Sequence, residues 1–205
     1  MAVLTVSRQY GAGGRRVARA LADRLRFVFV DRELAEEAAK RLGLDPEVVK
    51  ARDERAPALV EELGMALAAA TPGFGLAPVP DLDDRSLAEA TRRVILSLAR
   101  AGSYVILGRG AQAALADRAD ACHLSLVGEV GDRARRIAEW QHVDEKEALI
   151  RCERVDAERA GYVRRFYGRD IRDPLLYNCI LNTSRLPMDV AVDVAVTVAR
   201  QKLAP

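Results

Sequence analysis

The sequence predicts an α/β protein built on an open, mostly parallel β-sheet. Short apolar and β-branched runs alternate along the chain with longer segments in which apolar residues recur every three to four positions, as in buried strands and amphipathic helices. A glycine-rich turn joins the first strand to the first helix. Such alternation indicates β-α-β units with right-handed connections. The 205 residues fit a single domain, since domains commonly hold roughly 100–200 residues.

The individual elements follow from these patterns. Five runs have the composition of strands: residues 2–6, 27–30, 104–107, 122–127 and 176–181. Helices are predicted directly after the glycine-rich turn and over residues 34–42, 86–100, 132–141, 144–166 and 188–203, and residues 45–70 have a helical pattern with charged faces. Residues 71–84 are rich in proline and glycine, which predicts a loop or connector.

The composition is that of a soluble globular protein. Apolar residues make up 50% of the chain and charged residues 30%. No apolar run reaches the roughly 18 residues that a membrane span needs, and the N-terminus lacks the pattern of a secretion signal. Cys122, Cys152 and Cys179 are scattered and odd in number, which argues against a disulfide framework or a zinc site. We therefore expect a protein of the reducing cytoplasm with no membrane partner.

Arginine supplies most of the positive charge. Only four of the 32 basic residues are lysine, which leaves 28 arginines. The planar guanidinium suits bidentate contact with phosphate, although a single surface arginine is commonly just solvated. The net charge is only +2, and aromatic residues make up 5% of the chain, which leaves little for base stacking. Nucleic acid is therefore not an expected partner.

Residues 7–20, SRQYGAGGRRVARA, resemble a phosphate-binding loop but depart from its motif. The P-loop has the form G-x-x-x-x-G-K-[ST], in which amides surround phosphate oxygens, the lysine reaches the outer phosphates and the hydroxyl binds magnesium. Alignment of Gly13 with the second glycine places Arg8 at the first glycine, Gly14 at the lysine and Arg15 at the hydroxyl residue. The motif therefore fails at three positions.

The loop still has the glycines that a phosphate-binding backbone requires. Gly11, Gly13 and Gly14 allow the backbone to wrap an anion at a helix N-terminus, and Arg15 and Arg16 could supply the missing charge. The dinucleotide fingerprint G-x-G-x-x-G is disfavoured because residue 16 is arginine. The alternative is a tight β-α turn with solvated arginines.

Three unusual features follow predicted strands. The glycine loop follows residues 2–6, Asp31 follows residues 27–30, and Gly108 and Arg109 follow residues 104–107. Ligands of open α/β sheets bind at the carboxyl ends of the strands, so this convergence predicts a binding site there. Asp31 is also placed to cap the next predicted helix.

Several segments, in order, resemble the cytidylate kinase-like family, which is related to the P-loop nucleoside monophosphate kinases. They are SRQYGAGGRRVARALADRL with FVDREL, VILGRGA at residues 105–111, DRARRI at 132–137, VDAERAGYVRRFYG at 155–168 and YNCILNTSRLPMDVAVDVA at 177–195. The resemblance covers nearly the whole chain. It implies a P-loop kinase-like three-layer α/β/α fold with a mostly parallel five-stranded sheet and helical acceptor-binding and lid insertions. The implied single domain has its core at 1–44, 101–141 and 170–205, its acceptor-binding insertion at about 45–100 and its lid at about 142–169.

The resemblance also implies roles for individual residues. The phosphates of ATP would be held by Gly11, Ala12, Gly13, Gly14, Arg15 and Arg16, and the donor adenine would be flanked by Arg133 and Arg136. Acceptor binding would use Asp31, Arg109, Asp156 and Arg159. Arg159 would contact the transferring phosphate, which makes it a candidate catalytic residue with Arg15 and Arg16. Arg151 and Arg154 are further lid candidates.

The departures from the family pattern leave alternatives open. Gly14 replaces the loop lysine, no hydroxyl residue follows it, and Gly110 stands where cytidylate kinases have an aspartate. Asp31 is a weak candidate ligand for Mg²⁺, which can also be held mainly by water and phosphate oxygens. The expected function is ATP-dependent phosphoryl transfer to a nucleoside monophosphate, CMP or dCMP first. The alternatives are a kinase for another small acceptor and a non-catalytic nucleotide-binding or sensing protein.

Overall fold

The structure is a computed structural model that describes residues 2–31 and 84–204. The strands in these residues are β1 (Val3–Arg8), β2 (Val28–Val30), β3 (Tyr104–Leu107), β4 (Ala121–Val127) and β5 (Cys179–Asn182). The helices are α1 (Gly14–Leu25), α2 (Asp84–Ala101), α3 (Ala111–Ala114), α4 (Val130–Gln141), α5 (Glu145–Tyr167) and α6 (Met188–Leu203). A 3₁₀ turn occupies Pro174–Leu176.

The five strands form one sheet in the order β2-β3-β1-β4-β5, and all four pairings are parallel. β1 is central, with Val6 opposite Leu107 of β3 and Leu124 of β4. The chain leaves β1 toward one edge of the sheet and later crosses to the other, so the strand order changes direction beside β1. Ligands bind at such a point, outside the carboxyl ends of the strands.

Helices cover both faces of the sheet, so the predicted three-layer α/β/α fold is confirmed. Alternate residues of β1 point to opposite faces: Leu4 and Val6 belong to the core with α1 and α6, and Val3 belongs to the core with α2. The apolar side chains of α1 that recur at helical spacing are fully or nearly fully buried, namely Val17, Ala18, Leu21 and Ala22. Their burial on β1 and β3 fixes where the N-terminus of α1 meets the sheet.

Helices α4 and α5 form an antiparallel pair beside the glycine loop. Asp144 caps α5 by accepting a hydrogen bond from the amide of Glu147 at 2.8 Å, as expected for an N-cap carboxylate. Buried Ala134 and Ile137 of α4 pack on Ala148 and Cys152 of α5. The predicted lid region therefore contains a 23-residue helix anchored to α4 along its first turns.

The structure shifts some predicted boundaries. β1 extends two residues beyond the prediction because Ser7 and Arg8 continue the pairing with β4. β5 begins at Cys179 rather than at 176, since the 3₁₀ turn precedes it and the Asp173 side chain accepts a hydrogen bond from the Leu175 amide. Helix α6 has the predicted bounds.

Part of the predicted insertion belongs to the core. Val94, Ile95 and Leu98 of α2 are buried against the sheet with Val3 and Ile106. The acceptor-binding role of the segment at about 45–100 stays a prediction. The helices predicted over 34–42 and 45–70 and the connector up to residue 83 lie outside the described residues. In residues 2–31 and 84–204, no helix has the length and apolar character needed to cross a membrane.

Candidate active site

The glycine loop turns tightly between β1 and α1. Gly11 and Gly13 adopt left-handed conformations with φ of 78° and 80°, which side chains disfavour. A Cβ on Gly11 would stand 2.7 Å from the carbonyl oxygen of Arg133, so the loop also needs glycine for close packing. Gly14 begins α1, where the first-turn amides have no intrahelical acceptor. These amides and the positive end of the helix dipole form a site suited to phosphate.

An ion pair between Arg133 and Asp156, largely shielded from solvent, anchors the glycine loop. Arg133, whose side chain is 5% exposed, lies 2.7 Å from Asp156 and donates to the carbonyl of Tyr10 at 2.8 Å. The other oxygen of Asp156 accepts the amide hydrogen of Tyr10 at 2.7 Å. Both polar groups of the Tyr10 backbone are therefore bound by this pair, which joins α4 and α5 to the loop. The structure places Arg133 and Asp156 on the loop backbone, and their expected nucleotide contacts remain predictions.

A cavity of about 720 Å³ opens above the loop. Arg15 and Arg16 line it with Asp31, whose carboxylate forms an ion pair with Arg15. The structure thus brings together the loop, the two candidate cations and the strand-end aspartate, as the sequence predicted.

The opposite wall of this loop cavity is partly apolar. Ile137 and Trp140 of α4 and Met188 of α6 line it, and Trp140 is 71% exposed. Arg136 lies one turn from Trp140 and donates to the Thr183 side chain at 3.2 Å and to the Gly11 carbonyl at 3.4 Å. A flat indole beside an anion-binding loop is suited to stack on a nucleotide base.

The segment after β3 is a second turn of unusual conformation. Gly108, Arg109 and Gly110 all have positive φ, between 55° and 81°. The hydroxyl of Tyr167 donates to the Arg109 carbonyl at 3.1 Å, and the Arg109 guanidinium lies 5.4 Å from the centre of the Tyr162 ring. The two tyrosines of α5 therefore fix both the backbone and the side chain of Arg109.

Tyr167 also explains why residue 110 is glycine. A Cβ at Gly110 would lie 2.4 Å from a carbon of the Tyr167 ring, so an aspartate there would collide with the ring. Burial raises the pKa of the Tyr167 hydroxyl well above its ordinary value, so the ring remains neutral at physiological pH. An uncharged aromatic side chain therefore occupies the space in which the resemblance to cytidylate kinases implies an aspartate.

A smaller cavity of about 230 Å³ lies beside Arg109. Arg8, Arg109 and Arg159 line it together with Glu158 and Gln112. Gln112, whose side-chain amide can donate hydrogen bonds, is 1% exposed. Three guanidinium groups and an amide donor form a wall suited to an anionic ligand.

Two arginines connect this Arg109 cavity with the loop cavity. Arg8 at the end of β1 and Arg159 of α5 line both. Arg159 donates to the Arg8 carbonyl at 3.0 Å, and its guanidinium lies 5.6 Å from the centre of the Tyr10 ring. The predicted catalytic arginine therefore lies where the two cavities meet.

The remaining lid candidates lie elsewhere. Arg151 forms an ion pair with Glu147 and donates to Gln141, and Arg154 lies 3.7 Å from Glu158 on an exposed face of α5. Neither lines the loop cavity. Their role as lid residues stays a prediction.

The carboxylates near the loop are few. Within residues 2–31 and 84–204, no group of three His, Cys, Asp or Glu side chains could enclose a metal ion. Asp31 lines the loop cavity beside Arg15. A single carboxylate fits Mg²⁺, which commonly keeps several waters and takes its other ligands from substrate phosphates.

The phosphate-binding features of the loop agree with the family that the sequence matches. The profile of the cytidylate kinase-like family matches residues 3–185. The chain belongs to the cytidylate kinase-like family. A cytidylate kinase from Sulfolobus acidocaldarius is 36% identical over 72 residues, which make up 35% of this chain and 40% of that enzyme. The match thus spans less than half of that relative's length.

Solved structures support the fold. A crystal structure of an uncharacterized protein from Eubacterium ventriosum superposes with a TM-score of 0.72 at 21% identity, over 97% of this chain and 98% of that one. A shikimate kinase from Bacteroides thetaiotaomicron has a TM-score of 0.50 at 14% identity, over 100% and 99% of the two chains. At these identities the likeness concerns the fold alone.

Sequence reasoning missed several residues of the site, among them Trp140, Met188 and Arg8. Trp140 and Met188 belong to helical patterns that reveal no ligand contact, and only the distant packing of α4 and α6 brings them to the loop. Arg8 appeared solely as a mismatch at the first glycine of the motif. The signal that could have identified it was the exchange of a cation and a glycine between positions 8 and 14.

The loop brace can be tested by substitution. Asp156→Ala should lower the free energy of unfolding by about 3 kcal/mol, because it leaves the buried Arg133 charge without its partner. Asp193→Ala, which removes an exposed ion pair with Arg24, should change it by less than about 1 kcal/mol. Urea denaturation followed by circular dichroism measures both values. Equal effects of the two substitutions would contradict a bracing role for Asp156.

Proposed function

We propose that the protein is an ATP-dependent kinase that transfers the γ-phosphate to a nucleoside monophosphate, with CMP or dCMP as the first candidates. The family and the fold support phosphoryl transfer by a kinase. The observation that carries the proposal is the junction of two cavities at Arg8 and Arg159. A donor and an acceptor bound in these cavities would bring their phosphates together at that junction.

The proposed roles follow from charge and position. The loop amides and the N-terminus of α1 bind the donor phosphates, and Trp140 stacks on the donor base. Arg109, held by Tyr162 and Tyr167, binds the phosphate of the acceptor. Mg²⁺ bound to the donor phosphates with Asp31 nearby would offset part of their charge.

The reaction transfers one phosphoryl group. An oxygen of the acceptor phosphate forms a bond to the γ-phosphorus as the bond from that phosphorus to the β-phosphate oxygen breaks, and ADP leaves. Arg159 lies where charge develops on the transferring oxygens. Because arginine stays protonated, this charge is present throughout the reaction, and a well-placed arginine can contribute ~10³–10⁵ in rate.

A second candidate function is a kinase for another small phosphorylated acceptor. The contact between Gly110 and Tyr167 favours it, because a neutral ring fills the space where cytidylate kinases have an aspartate. Recognition of a ribose or a pyrimidine through that carboxylate is then absent. An acceptor with an apolar face against Tyr162 and a phosphate on Arg109 would suit this wall.

The first experiment measures ADP release from Mg·ATP with each nucleoside monophosphate and its deoxy form, and then with phosphorylated sugars. Turnover with CMP or dCMP well above the rate without acceptor supports the first proposal. Turnover confined to a phosphate ester that lacks a pyrimidine supports the second. ATP binding without turnover for any acceptor would favour a nucleotide-sensing protein.

Arg159→Ala should lower the turnover of the best acceptor by about 10³-fold, because the charge at the cavity junction is lost. Arg135→Ala is the matched control, since Arg135 forms an exposed pair with Asp132 on α4. Coupled ADP assays at saturating substrate measure the rates, and thermal unfolding verifies the fold. Turnover retained in a folded Arg159→Ala protein would refute the role assigned to Arg159.

Trp140 is the single tryptophan of the chain, so its fluorescence reports directly on the loop cavity. ATP should shift its emission to shorter wavelength in a saturable manner, and Trp140→Phe should retain much of the affinity that Trp140→Ala loses. A loss of about tenfold is expected, since base stacking on an aromatic ring contributes ~1–3 kcal/mol. Inorganic tripolyphosphate, which has the phosphates of ATP but no base, is the control ligand that separates the effect of the base from that of the phosphates. ATP binding measured by calorimetry without any emission change would place the base elsewhere.

A further inference from the structure

The loop exchanges two residues relative to the P-loop motif. The motif has glycine at its first position and lysine six positions later, whereas this chain has Arg8 and Gly14 at the corresponding positions. A cation and a glycine have thus traded places. The structure explains why the two changes occur together.

The stem of Arg8 occupies the space next to Gly14. A Cβ built on Gly14 would lie 2.6 Å from Cγ of Arg8 and 2.9 Å from its Cβ, closer than real Cβ atoms approach other carbons. A lysine at position 14 would begin in the volume that Arg8 already fills. Only one of these two long side chains fits, so Gly14 is the complement of Arg8.

The guanidinium of Arg8 extends from there to the end of β3. A Cβ built on Gly108 would fall within 2.0 Å of one guanidinium nitrogen and 3.0 Å of the central carbon. Arg8 therefore passes the first residue of α1 and ends beside the segment that carries Arg109. Its charge lies at the boundary of the loop cavity and the Arg109 cavity.

The other candidate cations are placed less favourably. The side chain of Arg15 is 56% exposed, and it lines the loop cavity but not the Arg109 cavity. Arg16 is exposed on α1. Arg8 is also fixed at its backbone, because its carbonyl accepts the hydrogen bond from Arg159.

We infer that Arg8 performs the task of the missing P-loop lysine: its guanidinium contacts the outer phosphates of the bound nucleoside triphosphate and follows the group that is transferred. This inference rests on the proposed function. Arg8 supplies charge and hydrogen-bond donors and exchanges no proton. The planar guanidinium can contact two phosphate oxygens through two parallel N–H donors in a fixed geometry, whereas an ammonium group acts as a point charge without that geometry.

The test exchanges the two residues back. Arg8→Met keeps an unbranched stem beside Gly14 and removes the charge, and it should weaken Mg·ATP binding by at least tenfold and turnover by about 10²-fold or more. Gly14→Lys alone should also impair both, since the new stem collides with Arg8. The double variant Arg8→Gly, Gly14→Lys recreates G-x-x-x-x-G-K and should recover both quantities to within about tenfold of the wild type.

Affinity for Mg·ATP is measured by calorimetry, which does not depend on where the base binds, and thermal unfolding shows that each variant is folded. Comparing the Mg·ATP affinities of the single and double variants needs no acceptor. The comparison therefore tests Arg8 even if every acceptor fails and the proposed kinase activity is wrong. Unchanged affinity and turnover in Arg8→Met would overturn the inference and leave the kinase proposal intact. A folded double variant with no recovery over Arg8→Gly alone would also overturn it, since a charge at position 14 would then not replace the charge of Arg8.

Discussion

The geometry of the site depends on one buried ion pair, Arg133 with Asp156. The pair binds both the amide and the carbonyl of Tyr10. Side chains of α4 and α5 therefore hold the backbone of the glycine loop in place. The same pair joins α5 to α4, and Arg159, which lies one turn beyond Asp156, donates to the carbonyl of Arg8. A charge pair removed from water contributes little net stability by itself. Its value here is that it links the glycine loop to both α4 and α5.

Glycine positions around the site are set by side chains from distant parts of the chain. Arg8 fills the volume beside Gly14, and Tyr167 fills the volume beside Gly110. In each case a charged side chain of the family pattern is absent and another group occupies its space. The first exchange keeps a positive charge beside the glycine loop, whereas the second places a neutral ring where the resemblance implies a carboxylate. In the proposed function, the donor site therefore retains a cation and the acceptor site lacks the carboxylate.

The sequence predicted the fold well because strand composition and helical spacing are local signals. The bounds of β3 and α6 were correct, and β1 was too short because the polar residues Ser7 and Arg8 carry no apolar pattern. β5 began too early because the apolar Leu175 and Leu176 belong to a capped turn. The site was predicted less completely, since the contacts of Trp140 and the bracing role of Arg133 depend on which helices meet. Spacing within a motif cannot show that Arg8 and Gly14 compete for one volume.

The location of the arginines determines which state of the reaction they favour. Arg8 and Arg159 line both cavities, so in the proposed reaction their charges would face both the donor and the acceptor. Their attraction is then greatest for negative charge located between donor and acceptor, where the transferring group passes. Groups that bind the ground state and the transition state equally well raise affinity without raising the rate of the chemical step. A charge fixed between donor and acceptor instead stabilises the transition state more than the ground state. Because a guanidinium stays protonated and the Arg8 stem packs against Gly14, little reorganisation is needed as the reaction proceeds.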